Sequence, residues 1–214
     1  MDVHFQVATT QSQAQTTADS LVVLICGDKL PMGLEPELAA IAQDAIKQGD
    51  FALKAGRTLY IHRPMGLKAN RLVLAATGDA SAACARKAAT AALGLLKSRG
   101  GEHIALGLAG FSEVSDQLLE ALVMAADDTA YVYRHTKPSA SAAWSVSKLS
   151  LLVDKNAAKR LKPALARAQA IAAGVGIARE CANRPANYAT PSHLAQVARD
   201  MAKQFDLKLE VLDR

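Results

Sequence analysis

Apolar residues are distributed along this chain in two alternating textures, short unbroken runs and stripes spaced three and four apart. Leu21-Val22-Val23-Leu24-Ile25-Cys26 and Leu72-Val73-Leu74-Ala75-Ala76 are runs of the first kind. A strand without a polar face must be covered on both sides, so both are expected inside a sheet flanked by helices. Val3–Ala8, Thr58–Ile61, His103–Leu108 and Leu149–Val153 supply further strands. Among the stripes, Leu38, Ile41, Ala42, Ala45 and Ile46 predict a helix over 35–48, closed by Gly49-Asp50. An alanine-rich helix follows Thr77-Gly78-Asp79 and ends before Gly100-Gly101. Leu118, Leu119, Leu122 and Val123 mark another over 115–127. Tyr131-Val132-Tyr133-Arg134 reads as a short strand or turn. This alternation predicts an α/β domain over 1–154 with a parallel or mixed sheet.

The texture changes after Asp154. Basic residues and Pro163 precede a long helical run over 164–182, with Leu165, Ala168, Ile171, Ala172, Val175 and Ala178 along one side. Proline fits a first helical turn, where its missing N–H costs nothing. A domain boundary is therefore expected near 154–162, with 155–182 as a connecting helix. Residues 183–214 read as the start of a second α/β domain. A helix from Pro191 to Gln204 is expected to bury Leu194, Val197, Ala198 and Met201, and a strand to run over 207–212. One helix and one strand cannot form a core, so the rest of that domain is expected to be missing from this chain.

Composition narrows the class. Of 214 residues, 50% are hydrophobic and 21% charged, which excludes a disordered or collagenous chain. Cys26, Cys84 and Cys181 stand far apart, against a disulfide framework or zinc ribbon and consistent with a reducing compartment. No apolar run is long enough to span a bilayer. Met1–Phe5 carries no basic region ahead of an apolar stretch, so a cytoplasmic location is expected.

The net charge of +5 is unevenly placed: residues 51–100 hold nine basic residues and one acidic, and 151–214 hold eleven against six. Such blocks can meet phosphate backbones through counterion release, but a solvated face or an oligomer interface is the simpler explanation. The candidate nucleic-acid contacts are Arg86, Lys87, Lys97 and Arg99, on one predicted helix and its end. Neither block has the interleaved aromatics of a single-strand platform.

The most informative stretch is Arg179-Glu180-Cys181-Ala182-Asn183-Arg184-Pro185-Ala186-Asn187-Tyr188-Ala189-Thr190-Pro191. Its physical reading is helix punctuation. Asn183 tolerates a left-handed helix end and Pro185 blocks continuation; Thr190 and Pro191 open the next helix. The same residues carry a resemblance. Arg179, Asn183, Pro185, Asn187, Thr190, Pro191, Leu194 and Ala195, followed by Leu207 to Asp213, resemble the junction motif of the leucyl aminopeptidase (cytosol aminopeptidase) family. Gly56–Tyr60, Gly66–Leu74 and Tyr131–Arg134 resemble that family's amino-terminal segments more diffusely.

The resemblance implies a macro-domain-like mixed sheet flanked by helices, then the opening of a catalytic domain. It also implies a parent enzyme that assembles as a hexamer and releases N-terminal amino acids from peptides. Its partners would be the missing catalytic domain and further copies of itself. Two divalent ions, zinc or manganese, would activate a water for that reaction. Their lysine, aspartate and glutamate ligands belong to downstream glycine-rich segments that do not occur here, so the chain alone is expected to be inactive. Some family members bind DNA as well, which the basic blocks could reflect.

Other chemistry is not apparent. His4, His62, His103, His135 and His193 share no metal-ligand spacing. No cysteine has a base beside it in sequence. Gly107-Leu108-Ala109-Gly110 is not a phosphate loop. The Gly78 turn could offer amides to an anion, although Asp79 as a helix cap is the simpler reading. Two rivals to the aminopeptidase reading are a stand-alone macro-like module for nucleic acid or nucleotide, and a structural fragment without a ligand.

Overall fold

The computed structural model describes residues 4–99, 101–140 and 144–212; Val3, Gly100 and Asp213, named above, lie outside them. The two apolar runs become β2 (Ser20–Cys26) and β4 (Arg71–Gly78), after an opening strand β1 (His4–Thr9). β3 (Thr58–His62), β5 (His103–Ala109) and β6 (Lys148–Val153) complete a six-stranded sheet of order β1-β6-β5-β2-β4-β3. Five strands run parallel; β3 pairs antiparallel to β4 at one edge. β2 and β4 are therefore both internal, as their lack of a polar face requires.

Helices cover both faces. On one side α1 (Pro36–Gln48) buries Leu38, Ala42 and Ala45 against Leu21, Val23, Ile25, Leu72 and Leu74. Side chains alternate along a strand, so Val22, Leu24, Val73 and Ala75, all fully buried, face the other layer. There α2 (Ala82–Leu96) lies on β4 and β2 and packs along α3 (Asp116–Ala130). The alanines of α2 (Ala85, Ala88, Ala89 and Ala92, all buried) let helix and sheet approach closely. Helix α4 (Lys155–Arg160) follows β6, and α5 (Lys162–Asn183) begins directly after it.

The chain divides into two compact units. One runs to Tyr131 and takes in 144–172; the other comprises 132–140 with 173–212. The division falls within α5, later than the boundary read from sequence at 154–162. The second unit contains the end of α5 and α6 (Pro191–Phe205).

Several local expectations are corrected. Tyr131–Arg134 forms no strand, and neither do residues 207–212, because no neighbouring strand offers them a ladder. α6 is the expected helix, but none of its residues is buried and Leu194 is 45% exposed. Of the stripe on α5 only Ala168 and Ala172 are buried. The α2 cap is Ser81, whose hydroxyl accepts from Cys84 N–H, while Asp79 accepts from Ser81 N–H. Asn183 is the last helical residue of α5 and is not left-handed. The helix stops because Pro185 disfavours a helical Arg184, and Pro185 O then accepts from Tyr188 and Ala189 N–H at 2.8 and 2.9 Å.

Candidate functional site

The parallel strands that carry the core deliver their carboxyl ends to one side of the sheet. β2 leads through α1 toward β3 and β4, whereas β5 leads through α3 toward β6. Adjacent strands whose connections leave in opposite directions part at their carboxyl ends, the usual place for a crevice in such sheets. Here it is a cleft of about 640 Å³ lined by the segments following β1, β2, β5 and β6. Two positive-φ glycines shape the exits, Gly27 (φ 102°) after β2 and Gly110 (φ 79°) after β5. A side chain at Gly110 would strike the Cys26 carbonyl at 2.6 Å and the Pro31 ring at 2.9 Å.

Glu35, immediately before α1, organises one wall. Its carboxylate accepts from Ser12 Oγ (2.7 Å), Gln13 N–H (2.5 Å) and Ala14 N–H (3.0 Å). Burial pushes this carboxyl up, but the three donors outweigh it and hold its pKa below the usual glutamate range. The loop so held lays the Gln13 carboxamide on the Cα of Gly107. Gln13 Nε2 donates to Leu108 O at 3.2 Å, and its buried Oε1 has no partner among the described residues. Gly107 is thus a site of close approach.

The opposite wall is the start of α4. Asp154 Oδ1 accepts from Asn156 and Ala157 N–H at 2.7 and 3.0 Å, which holds its carboxyl below the ordinary aspartate value. Arg160, at the other end of α4, donates from Nη2 to Val114 O at 2.7 Å and so ties that helix to the segment after β5. Leu152 and Val153 form a buried floor, with half-buried Leu108 and Phe111 beside it. None of these lining residues was singled out from sequence. The available signal was their position, at or following the carboxyl ends of predicted strands.

A second polar cluster crosses the sheet near its amino ends. Gln6 Nε2 donates to Ser150 Oγ at 2.9 Å, and Ser150 Oγ lies 2.8 Å from His103 Nε2. Burial, aided by Lys148, lowers the His103 pKa. Asp19 Oδ2 accepts from Glu102 and His103 N–H at 2.7 and 3.0 Å, and its pKa is lowered by those donors. This cluster joins β1, β6 and β5.

The four candidate nucleic-acid contacts lie on α2 and just after it, and three have partners within the fold. Arg86 pairs with Asp128 at 2.6 Å. Lys97 Nζ donates to Thr129 O at 2.7 Å. The Arg99 guanidinium stacks 4.4 Å from the Tyr60 ring centroid. Lys87 is exposed.

The junction motif lies in the second unit. Thr190 Oγ1 caps α6 through His193 N–H at 3.3 Å, and Pro191 occupies its first turn. Arg184 Nη1 lies 3.0 Å from His193 Nε2, a link that the sequence reading missed. The rings of Tyr188 and His135 meet edge to face at 5.3 Å. That contact brings 132–140 onto the motif. Arg179 and Asn183 stand at the end of α5, while Pro185, Asn187, Thr190 and Pro191 are exposed. Among the described residues no three His, Cys, Asp or Glu side chains converge as a metal site requires. The residues present therefore do not fit the two ions. No described helix is long and apolar enough to cross a membrane.

Residues 8–140 match the model of the cytosol aminopeptidase family, N-terminal domain. The chain belongs to the cytosol aminopeptidase family. A probable cytosol aminopeptidase of Methylibium petroleiphilum is 48% identical over all 214 residues, which span 44% of that relative. One from Polaromonas sp. strain JS666 is 35% identical over 99% of the chain, 41% of its own length. The chain thus spans less than half the length of these curated relatives. In fold it is similar to a mutant of tomato leucine aminopeptidase, with a TM-score of 0.75 at 20% identity, covering 96% of this chain and 44% of that one. It is also similar to the bottromycin maturation enzyme BotP in complex with Mn, with a TM-score of 0.63 at 20% identity, covering 88% and 37%.

Proposed function

We propose that this chain is the amino-terminal portion of a two-metal leucyl-type aminopeptidase, a cytoplasmic hydrolase that releases N-terminal amino acids from peptides. Its part is assembly of the oligomer, a hexamer by family resemblance, and positioning of the catalytic segment that holds zinc or manganese. We read the six-stranded mixed sheet with helices on both faces as macro-domain-like.

The observation that carries the positioning role is the uncovered apolar side of the second unit. Leu194, Phe205, Leu207, Leu209 and Leu212 are 45, 50, 54, 44 and 83% exposed. Thr190 and Pro191 start α6 firmly, and the apolar positions recur at helical spacing along it. Such a face needs a covering layer. The relatives, more than twice as long, have chain to supply one.

Hydrogen exchange tests this reading. In a polypeptide of the relatives' length that contains this sequence, amides of α6 and 207–212 are expected to exchange at least about tenfold more slowly than in the 214-residue chain, a factor of ten corresponding to about 1.4 kcal/mol of added local stability. Equal rates would remove the positioning role.

A further inference from the structure

The cleft at the carboxyl ends of β1, β2, β5 and β6 has a lining chemistry that selects a ligand. We propose that it binds a zwitterionic α-amino acid or short peptide with an apolar side chain. Its volume of about 640 Å³ lies within the range of small-molecule sites, about 300–1,000 Å³. The floor contributes an apolar patch, from Leu152, Val153 and the half-buried ring of Phe111, within a lining whose surface is mostly polar.

Charges of both signs stand around that floor. Arg160 carries five N–H donors, of which one on Nη2 is spent on the Val114 carbonyl. The remaining donors can take a carboxylate. Asp154 uses only Oδ1 in capping α4, so its Oδ2 is open to an ammonium. Glu113 is exposed and has no hydrogen bond or ion pair among the described residues. Glu35 is different: its carboxylate already accepts three bonds and serves as wall rather than ligand contact. A guanidinium and two carboxylates above an apolar floor complement an amino acid's carboxylate, ammonium and side chain.

The same inventory argues against a phosphate-bearing ligand. A phosphate would meet one guanidinium against two carboxylates, and the first amides of α4 are already taken by Asp154. The binding claim rests on the cleft. The use of such a site, sensing amino acid released by the enzyme, rests on the aminopeptidase reading above.

Titration of the isotopically labelled 214-residue chain, followed by backbone NMR shifts, tests the proposal. The probes are L-leucine, leucyl-leucine, N-acetyl-leucine amide and adenosine monophosphate, each to about 10 mM, a range that detects millimolar dissociation constants. Leucine or leucyl-leucine should shift resonances of 10–13, 108–114 and 152–160 saturably. The uncharged amide should bind at least about tenfold more weakly, as loss of two charge-assisted contacts requires. Arg160→Ala and the exposed Glu113→Gln should each weaken leucine binding by about threefold or more, with circular dichroism unchanged. No saturable shift, shifts centred elsewhere, equal binding of the uncharged amide, or tighter binding of the nucleotide would overturn it. Should Arg160→Ala fail to fold, Glu113→Gln alone decides. No turnover is involved, so a failed titration leaves the aminopeptidase reading standing, and an inactive longer enzyme leaves the binding result standing.

Discussion

Removing the Glu35 carboxylate should release the loop that walls the cleft. In Glu35→Ala three hydrogen bonds disappear, from Ser12 Oγ and from the Gln13 and Ala14 amides. A net contribution of about 1 kcal/mol per bond sets an upper figure near 3 kcal/mol. The site is only half-buried and water can replace part of what is lost, so about 2 kcal/mol is expected. For a chain of this size that lowers Tm by roughly 4–8 °C. Glu35→Gln keeps one acceptor oxygen and should fall between the two. The sign with pH follows from the lowered folded pKa: the carboxylate's contribution is present above the unfolded pKa of about 4.3 and is lost as pH falls through the lower folded value. Thermal unfolding at pH 7 and pH 3, with exchange rates at the Gln13 and Ala14 amides, reads the effect. A Tm shift below about 1 °C at pH 7, with both amides as protected as before, would refute the reasoning.

Gly107→Ala should cost no more than about 1 kcal/mol, because the added methyl meets the end of the Gln13 side chain, which can swing aside at the loss of its bond to Leu108 O; chemical denaturation measures it, and a loss of about 3 kcal/mol or more would show the carboxamide to be rigidly held. The depressed His103 pKa means that the folded chain keeps the ring neutral, so its contribution is full above the unfolded pKa of about 6.5 and is lost as pH falls through the folded value. The fall in stability from pH 7 to pH 5 should shrink in His103→Gln, and an unchanged profile would refute the assignment. With Arg86, Lys97 and Arg99 each holding a partner of the fold at its surface, duplex DNA binding should show a log–log salt slope of about −1 or shallower, one phosphate contact contributing about −0.9. A slope of about −3 or steeper, abolished by charge reversal at Arg86, Lys87, Lys97 and Arg99 together, would show that these side chains exchange their partners for phosphates.

The parts legible in the sequence were those with one dominant cause. Leu21–Cys26 and Leu72–Ala76 have no polar face, so burial on both sides of a sheet was the only consistent reading, and β2 and β4 are internal. The helices over 35–48 and 115–127 were equally clear from spacing. Misread features depended on partners distant in sequence. Residues 207–212 alternate as a strand should, yet a strand exists only against a neighbour. Asn183 is a local exception, helical rather than left-handed, and Pro185 ends the helix as its place in the sequence requires. The cleft escaped because its components stand apart in sequence: Gln13, Glu35, Phe111, Asp154 and Arg160 meet only once the strand order is known. The topology that places β2 beside β5 is not written in any one segment.

In the proposed function these residues are the non-catalytic amino-terminal portion of a metal-dependent aminopeptidase. The most direct test compares leucine amide hydrolysis by the purified 214-residue chain and by a polypeptide of the relatives' length containing it. Each is assayed with and without added zinc or manganese, and contaminating peptidase is excluded by mock purification. A two-metal mechanism needs carboxylates that converge on both ions, and the described residues provide no such group. No turnover is expected from the short chain under any condition, and metal-dependent turnover is expected from the long one. Metal-dependent hydrolysis by the 214-residue chain, or none by the longer polypeptide with either metal, would contradict it.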